Sequence, residues 1–391
     1  MRRTRRAFLG QCLLAAAAVL TSRSGAAGAP IKIGAPGNFT GAFAALGTSM
    51  ANGEALKVRE INDAGGVLGA PLHLVVTDMA SDRTRAPAIA AELLDQENVS
   101  AVVGFGDSDF VLALGPYVAA RGLPFLTPGA TSPLLPQQIG PTLYLACFAD
   151  NVQAAAGAEF LAGTLGAKRV HVLYNESAEY TRLLARYFVA AHEQGGGTVG
   201  LSATYGSSDG QALAAVAEVM AAAPPADAIY LAALPEEAGA LIARLRALGL
   251  SLPIVGGDGY DTPLLLEQVG TEATGIYYST HVYLGDNPAP PVLDFMSRYW
   301  MTYGYGRIDA YAALGYDAIG LLAEAITQAG STEPQAVLAA LSRVDGYSGI
   351  TGRISYAPGQ QVPQKPVSMV ALERGKHRLA AVLTPAWVPP A

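Results

Sequence analysis

The chain of 391 residues carries 25 Lys and Arg against 32 Asp and Glu, and is 51% hydrophobic but only 15% charged. Abundant apolar side chains with few charges exclude a disordered chain, and two cysteines in this length exclude a disulfide scaffold. A net charge of -7 argues against a nucleic-acid partner, because phosphate binding calls for a basic excess.

Residues 1–29 read as a targeting segment. Residues 1–6 hold four arginines, 7–20 are almost wholly apolar, and Ala26, Ala27, Gly28 and Ala29 follow. The run Thr4-Arg5-Arg6-Ala7-Phe8-Leu9 resembles a twin-arginine export signal, which places the mature protein in the periplasm. An apolar stretch of about 14 residues, interrupted by Gln11, is short of the roughly 20 that span a bilayer. Cys12 lies inside that stretch, so a lipid anchor is not supported either. Cleavage after Ala27 is expected and removes five arginines, leaving 20 bases, 32 acids and a net charge of -12. Cys147 is then the lone thiol, for which burial is the expected fate.

The remaining length predicts two domains at roughly 150 residues each. In chain order, β-rich runs are expected at 31–35, 72–77, 99–104, 124–126, 169–174, 198–205, 228–231, 253–256 and 275–279. Helices are expected between them at 44–64, 84–96, 110–121, 151–165, 179–194, 210–222, 235–248 and 262–268. Strand followed by helix, repeated, predicts an α/β fold with parallel sheets covered on both faces. Such sheets bind ligands beyond the carboxyl ends of their strands, so the loops 36–41, 105–109, 127–132 and 257–261 are the candidate site. No repeat of 20 to 50 residues is evident, no later run is apolar enough to cross a bilayer, and the tail 384–391 reads as an extended end.

Those loops, together with Asn62-x-x-Gly65-Gly66-x-x-Gly69, Thr40-Gly41 and the segment 312–325, resemble the periplasmic substrate-binding proteins of branched-chain amino acid ABC transporters. The resemblance covers nearly the whole mature chain. It implies a type I periplasmic binding protein: two Rossmann-like lobes with parallel sheets, joined by three crossover strands, with a ligand cleft between them. Lobe 1 would comprise 30–146 and 281–352, and lobe 2 would comprise 147–280 and 353–391. The implied partners are a small-molecule ligand and a membrane permease.

Carried over by position, Gly129, Ala130 and Thr131 match the part that holds the ligand's α-carboxylate in the family, and Tyr180 and Asp258 match its ligand-contacting Tyr and ammonium-accepting acid. The family's Gly-Pro-x-Ser-Ser reads Gly104-Phe105-Gly106-Asp107-Ser108 here, which puts Asp107 where a carboxylate-holding Ser is usual. Two carboxylates about 4 Å apart repel by about 1 kcal/mol in water and by more in a dry cleft. Leu234 and Pro235 replace a polar or aromatic contact, so the pocket reads as acidic and apolar. Either the ligand is an amino acid held through Ser108, Thr131 and backbone, or it lacks a carboxylate and presents hydroxyl, amide or cationic groups to Asp107. Phe39, Phe43, Phe105 and Leu234 would also wall a larger apolar ligand.

Each residue also has a local reading. Asp107 is placed to cap the helix that follows it, Ser108 and Thr131 precede a helix or turn, Asp258 sits between two glycines in a turn, and the Tyr180 ring has a lobe surface to pack on. The five histidines lack zinc spacing, residues 104–109 lack the last glycine of a dinucleotide fingerprint, and no serine sits in Gly-x-Ser-x-Gly. Metal, cofactor and catalytic residues are therefore not expected. A transport binding protein leads, with the ligand-sensing partner of a signalling receptor as the alternative.

Overall fold

The computed structural model describes residues 28–306 and 308–391; the arginine-rich export motif and the expected cleavage point lie outside the described residues. The short apolar runs build two sheets. Strands β1 (Ile31–Gly37), β2 (Leu72–Asp78), β3 (Ala101–Val103), β4 (Phe125–Thr127) and β5 (Leu143–Leu145) pair in parallel in the order β2-β1-β3-β4-β5. Strands β3, β4 and β5 are three residues each and wholly buried, as expected for parallel strands covered on both faces.

The second sheet begins with β6 (Arg169–Asn175), β7 (Thr198–Tyr205), β8 (Ala228–Ala232), β9 (Ile254–Gly256) and β10 (Ile276–Thr280). A separate hairpin of β11 (Asp345–Gly349) and β12 (Gly352–Ser355) follows, then β13 (Val367–Glu373) and β14 (Lys376–Leu383). The full order is β7-β6-β8-β9-β10-β13-β14, and its last two strands run antiparallel. Arg374 (φ 47°) and Gly375 (φ 73°) form the two-residue link that turns β13 into β14, a left-handed pair suited to a tight hairpin.

The chain passes between the sheets three times, within 146–149, within 281–289 and within 356–366. The crossings are tied together. Lys365 Nζ donates to the Ala146 carbonyl (3.0 Å) and to Thr351 Oγ1 (2.5 Å), whose own hydroxyl donates to Asp317 (2.6 Å). Burial pulls the Lys365 ammonium down to about 8 against the opposing pull of Asp317. Phe148 of the first crossing stacks on His281 of the second, with ring centroids 3.7 Å apart.

Two helices over the first sheet, Ala44–Asp63 and Ala310–Ala329, approach so closely that a Cβ on Gly53 would overlap the Ala312 carbonyl and one on Gly315 would overlap that of Met50. Gly53→Ala is therefore expected to destabilise the protein by about 3 kcal/mol in denaturant unfolding, outweighing the gain of up to about 1 kcal/mol that Ala brings to a helix interior. An unchanged unfolding midpoint would show that the helices part without cost.

Several elements differ from expectation. The helix expected at 84–96 is a 3-10 turn at Arg83–Arg85, a short helix at Ala86–Ala90 and a π-helical stretch at Ala91–Gln96. Pro87 accounts for the start, since it is tolerated only in a first turn. The tail 384–391 forms no helix or strand, in line with an extended end, and is docked: Asn151 Nδ2 donates to the Pro389 carbonyl (2.8 Å), and the Ala386 N–H donates to Glu159 Oε1 (2.7 Å). Among the described residues, no helix is long and apolar enough to cross a membrane, and no cluster of three His, Cys, Asp or Glu side chains is placed to hold a metal ion. Cys147 is buried, and burial raises its thiol pKa.

Candidate ligand-binding site

The site is built where the carboxyl ends of both sheets feed loops into helices. Beyond β3, residues 104–107 lead into the helix Ser108–Ala120, and beyond β4 residues 128–132 lie beside them. From the other sheet come the N-terminal turns of the helices Glu179–Gln194 and Pro235–Ala247, and the 3-10 turn Asp258–Tyr260 that follows β9. Asp107, Ser108, Thr131, Tyr180, Leu234 and Asp258 line one narrow cleft, together with Phe43, Leu46 and Tyr311. The space between them is about 20 Å³, room for about one water, so a ligand enters only when the two sides separate.

Asp258 is the best-anchored group in this cleft. Its side chain is buried, yet Oδ1 accepts from Tyr180 OH (2.9 Å) and Gln153 Nε2 (2.9 Å), and Oδ2 accepts from His281 Nε2 (3.0 Å). Tyr180 OH also accepts from the Gly259 N–H (3.2 Å). Gln153 uses all its capacity: Nε2 donates to Asp150 as well, and Oε1 accepts from the Asp258 N–H (3.0 Å) and Ser279 Oγ (2.6 Å). Burial lowers the His281 pKa, so the ring is neutral and its one hydrogen sits on Nε2, where only an acceptor lies. A carboxylate offers about four lone-pair sites, and three are used here. One remains for a donor on a ligand.

Asp107 is the N-cap of the helix Ser108–Ala120 and accepts from the Asp109 N–H (3.0 Å). Burial, with the Asp109 carboxylate adding to it, pushes its pKa up to about 7. Glu236, in the first turn of the opposing helix, is also pushed up to about 7 by burial, by Glu237 and by Asp107 across the cleft. Its Oε2 is buried without a partner. Asp107 therefore both caps a helix and lines the cleft.

The remaining expected residues divide. Ser108 Oγ accepts from the Ser132 N–H (3.3 Å), and the Thr131 carbonyl accepts from the Asp150 N–H (2.7 Å). The Ala130 N–H is taken by Thr127 Oγ1 (3.1 Å) and the Gly129 N–H lies 3.4 Å from the Phe105 carbonyl, so neither lines the narrow space. Phe105 stands at φ 67°, a left-handed backbone that costs a non-glycine residue about 1 kcal/mol or more, and its ring stacks on Phe110 at 5.8 Å. It walls a neighbouring recess rather than the cleft itself. Leu234 is buried and precedes Pro235 at the helix start; Glu237 takes its N–H (3.2 Å).

Sequence reasoning missed Gln153, His281 and Tyr311. Tyr311 OH lies 3.4 Å from the Asp258 carbonyl, a link from the first sheet's helices to the second sheet's loop, and Ser132 Oγ donates across the cleft to Glu179 Oε1 (3.0 Å). Gln153 and His281 act on Asp258 from 105 and 23 residues away, and no local pattern marks them.

Two sheets with a cleft between the carboxyl ends of their strands, and three chain crossings behind it, define the class of two-lobed binding proteins. The family profile described as periplasmic binding protein matches residues 30–376, and the chain belongs to that family, in the branched-chain amino acid transporter type. It is 28% identical to an amino acid binding protein of Pseudomonas aeruginosa over 311 residues, 78% of this chain and 80% of that one. The structure is similar to the substrate-binding protein LivJ of Streptococcus pneumoniae in complex with isoleucine (TM-score 0.83, 28% identity, 91% of this chain and 100% of that one). It is also similar to the leucine-binding protein LivK of Thermotoga maritima (TM-score 0.81, 31% identity, 91% and 99%). The family consists of substrate-binding proteins of transporters.

Proposed function

We propose that the protein is exported by the twin-arginine route, captures a branched-chain or related amino acid between its lobes in the periplasm, and delivers it to an ABC permease. Residues 30–146 with 281–352 would move as one lobe against 147–280 with 353–391, and ligand would stabilise closure by its higher affinity for the closed form. The observation that carries this reading is Asp258: a buried carboxylate held in position by Tyr180, Gln153 and His281, with one acceptor site left, opposite Ser108 and Thr131. That arrangement suits an α-ammonium group on one side and an α-carboxylate on the other. Asp107 favours a second reading, a ligand without a carboxylate, because its own acid occupies that end of the cleft.

Calorimetry and small-angle scattering on the mature protein, with the protein amino acids, amides, polyols and aromatic acids, test the proposal. A binder should raise the melting temperature by mass action and shrink the radius of gyration. Heats, melting points and scattering that stay flat over the whole panel would end the solute-capture reading.

A further inference from the structure

Beside the cleft, and sharing Leu46 and Gly106 with it, lies a second recess inside the first lobe, walled by Phe39, Met50, Phe105 and Glu54. Glu54 is only 3% exposed, and among the described residues its carboxyl makes no hydrogen bond and no ion pair. Other buried acids at the site have partners: Asp258 three donors, Glu237 Asn175, Tyr205 and the Leu234 N–H, Asp150 Gln153 on one oxygen, and Asp107 backbone, while Asp150 Oδ2 and Glu236 Oε2 are buried without one. The nearest bases on its own helix are directed elsewhere, since Lys57 Nζ donates to Tyr316 OH (3.3 Å) and Arg59 is exposed. A lone carboxyl taken out of water is costly, and burial raises its pKa well above the usual carboxylate value. Among the described residues no Lys, Arg or His lines either the cleft or the recess, whereas Asp107, Asp258 and Glu54 do. Phe39 acts as the recess's outer wall: it is half-buried, and its ring packs so tightly on Gly37 that a Cβ there would lie 2.7 Å away.

We infer that Glu54 is the acceptor for a cationic group at the far end of the ligand, so that the solute is an elongated amine or amino acid with a basic terminus. This rests on the solute-capture reading and deepens it. The head group would sit at Asp258, an apolar stem would pass Leu46 and Phe105, and an ammonium, amidinium or guanidinium would end at Glu54. The aromatic rings of Phe39 and Phe105 suit such a passenger, because their faces attract cations.

Lysine and norleucine differ in the terminal ammonium, so calorimetry of the wild-type protein with this pair, with arginine, agmatine, leucine, isoleucine and valine alongside, reads the inference directly. Lysine, arginine or agmatine is expected to bind at least roughly tenfold more tightly than norleucine and leucine. Glu54→Gln should remove most of that preference while moving the affinity for norleucine by less than about twofold, and should keep or raise the melting temperature of the free protein. Norleucine or leucine binding as tightly as every basic ligand overturns the inference on wild type alone and leaves solute capture standing. Equal loss for basic and neutral ligands in Glu54→Gln overturns it too. Silence from all seven compounds overturns this inference and, joined to silence across the wider panel, the reading beneath it.

Discussion

Asp258→Asn is expected to weaken the tightest amino acid ligand by about a hundredfold in calorimetry, because a charge-assisted hydrogen bond of about 1.5 to 3 kcal/mol is lost. The substitution does more than remove charge. Tyr180 OH, Gln153 Nε2 and His281 Nε2 all donate toward this side chain, and an amide NH₂ would set one donor against them. The Asn side chain must then either turn its NH₂ to the ligand, opposing the ammonium, or leave a buried donor unpaired. Tyr180→Phe provides a graded control: it frees one lone pair of Asp258, leaves the carboxylate in place and should cost about tenfold or less. If Asp258→Asn binds every amino acid of the panel within threefold of wild type, the ammonium does not sit there.

The second large effect concerns Asp107 and pH. Its carboxyl has a pKa of 3.8 when free and about 7 in the closed cleft. A raised acid pKa means that the closed form holds a proton the unfolded chain has already lost, so stability falls as pH rises from about 4 through 7 and the whole penalty is present above 7. A difference of about three pH units corresponds to roughly 4 kcal/mol for the closed form at pH 8. Glu236 adds in the same direction. His281 acts oppositely: its pKa is lowered, so below about 6.5 the unfolded chain takes a proton that the native ring refuses, and stability falls with acid. Asp107→Asn keeps a good helix cap and deletes the charge. It should raise the melting temperature by several degrees at pH 8, by less than half as much at pH 5, and make the protein more compact in scattering at pH 8. A variant whose melting curve shifts equally at both pH values would show that the Asp107 pKa is not raised in the closed cleft.

The alternation of strands and helices was legible because a period of 2 and a period near 3.6 differ sharply over runs such as 169–174 and 179–194. Three kinds of element were not. The strand Leu143–Leu145 is three residues long and carries too little pattern to stand out, and the helix Pro290–Tyr303 follows a proline-rich stretch that reads as loop. The β13–β14 hairpin depends on Arg374 and Gly375, a pair weaker as a signal than Asn-Gly. At the site, topology pointed to the right loops, since parallel sheets open at the carboxyl ends of their strands, whereas the donors around Asp258 arrive from other elements entirely. Glu54 is the sharpest case. It stands in the mixed run Gly53-Glu54-Ala55-Leu56-Lys57-Val58-Arg59-Glu60, where nothing in the sequence marks it for burial. Only the close approach of the helix Ala310–Ala329, allowed by Gly53 and Gly315, puts it indoors.

The stacked rings of Phe148 and His281 belong to two of the three chain crossings, and the same imidazole holds Asp258. If Asp258 holds the solute and the crossings serve as the hinge, as proposed, cargo and pivot share a side chain. Swinging one half against the other would then drag that ring across the acid it steadies, so that loosening the grip and turning the joint would be a single motion.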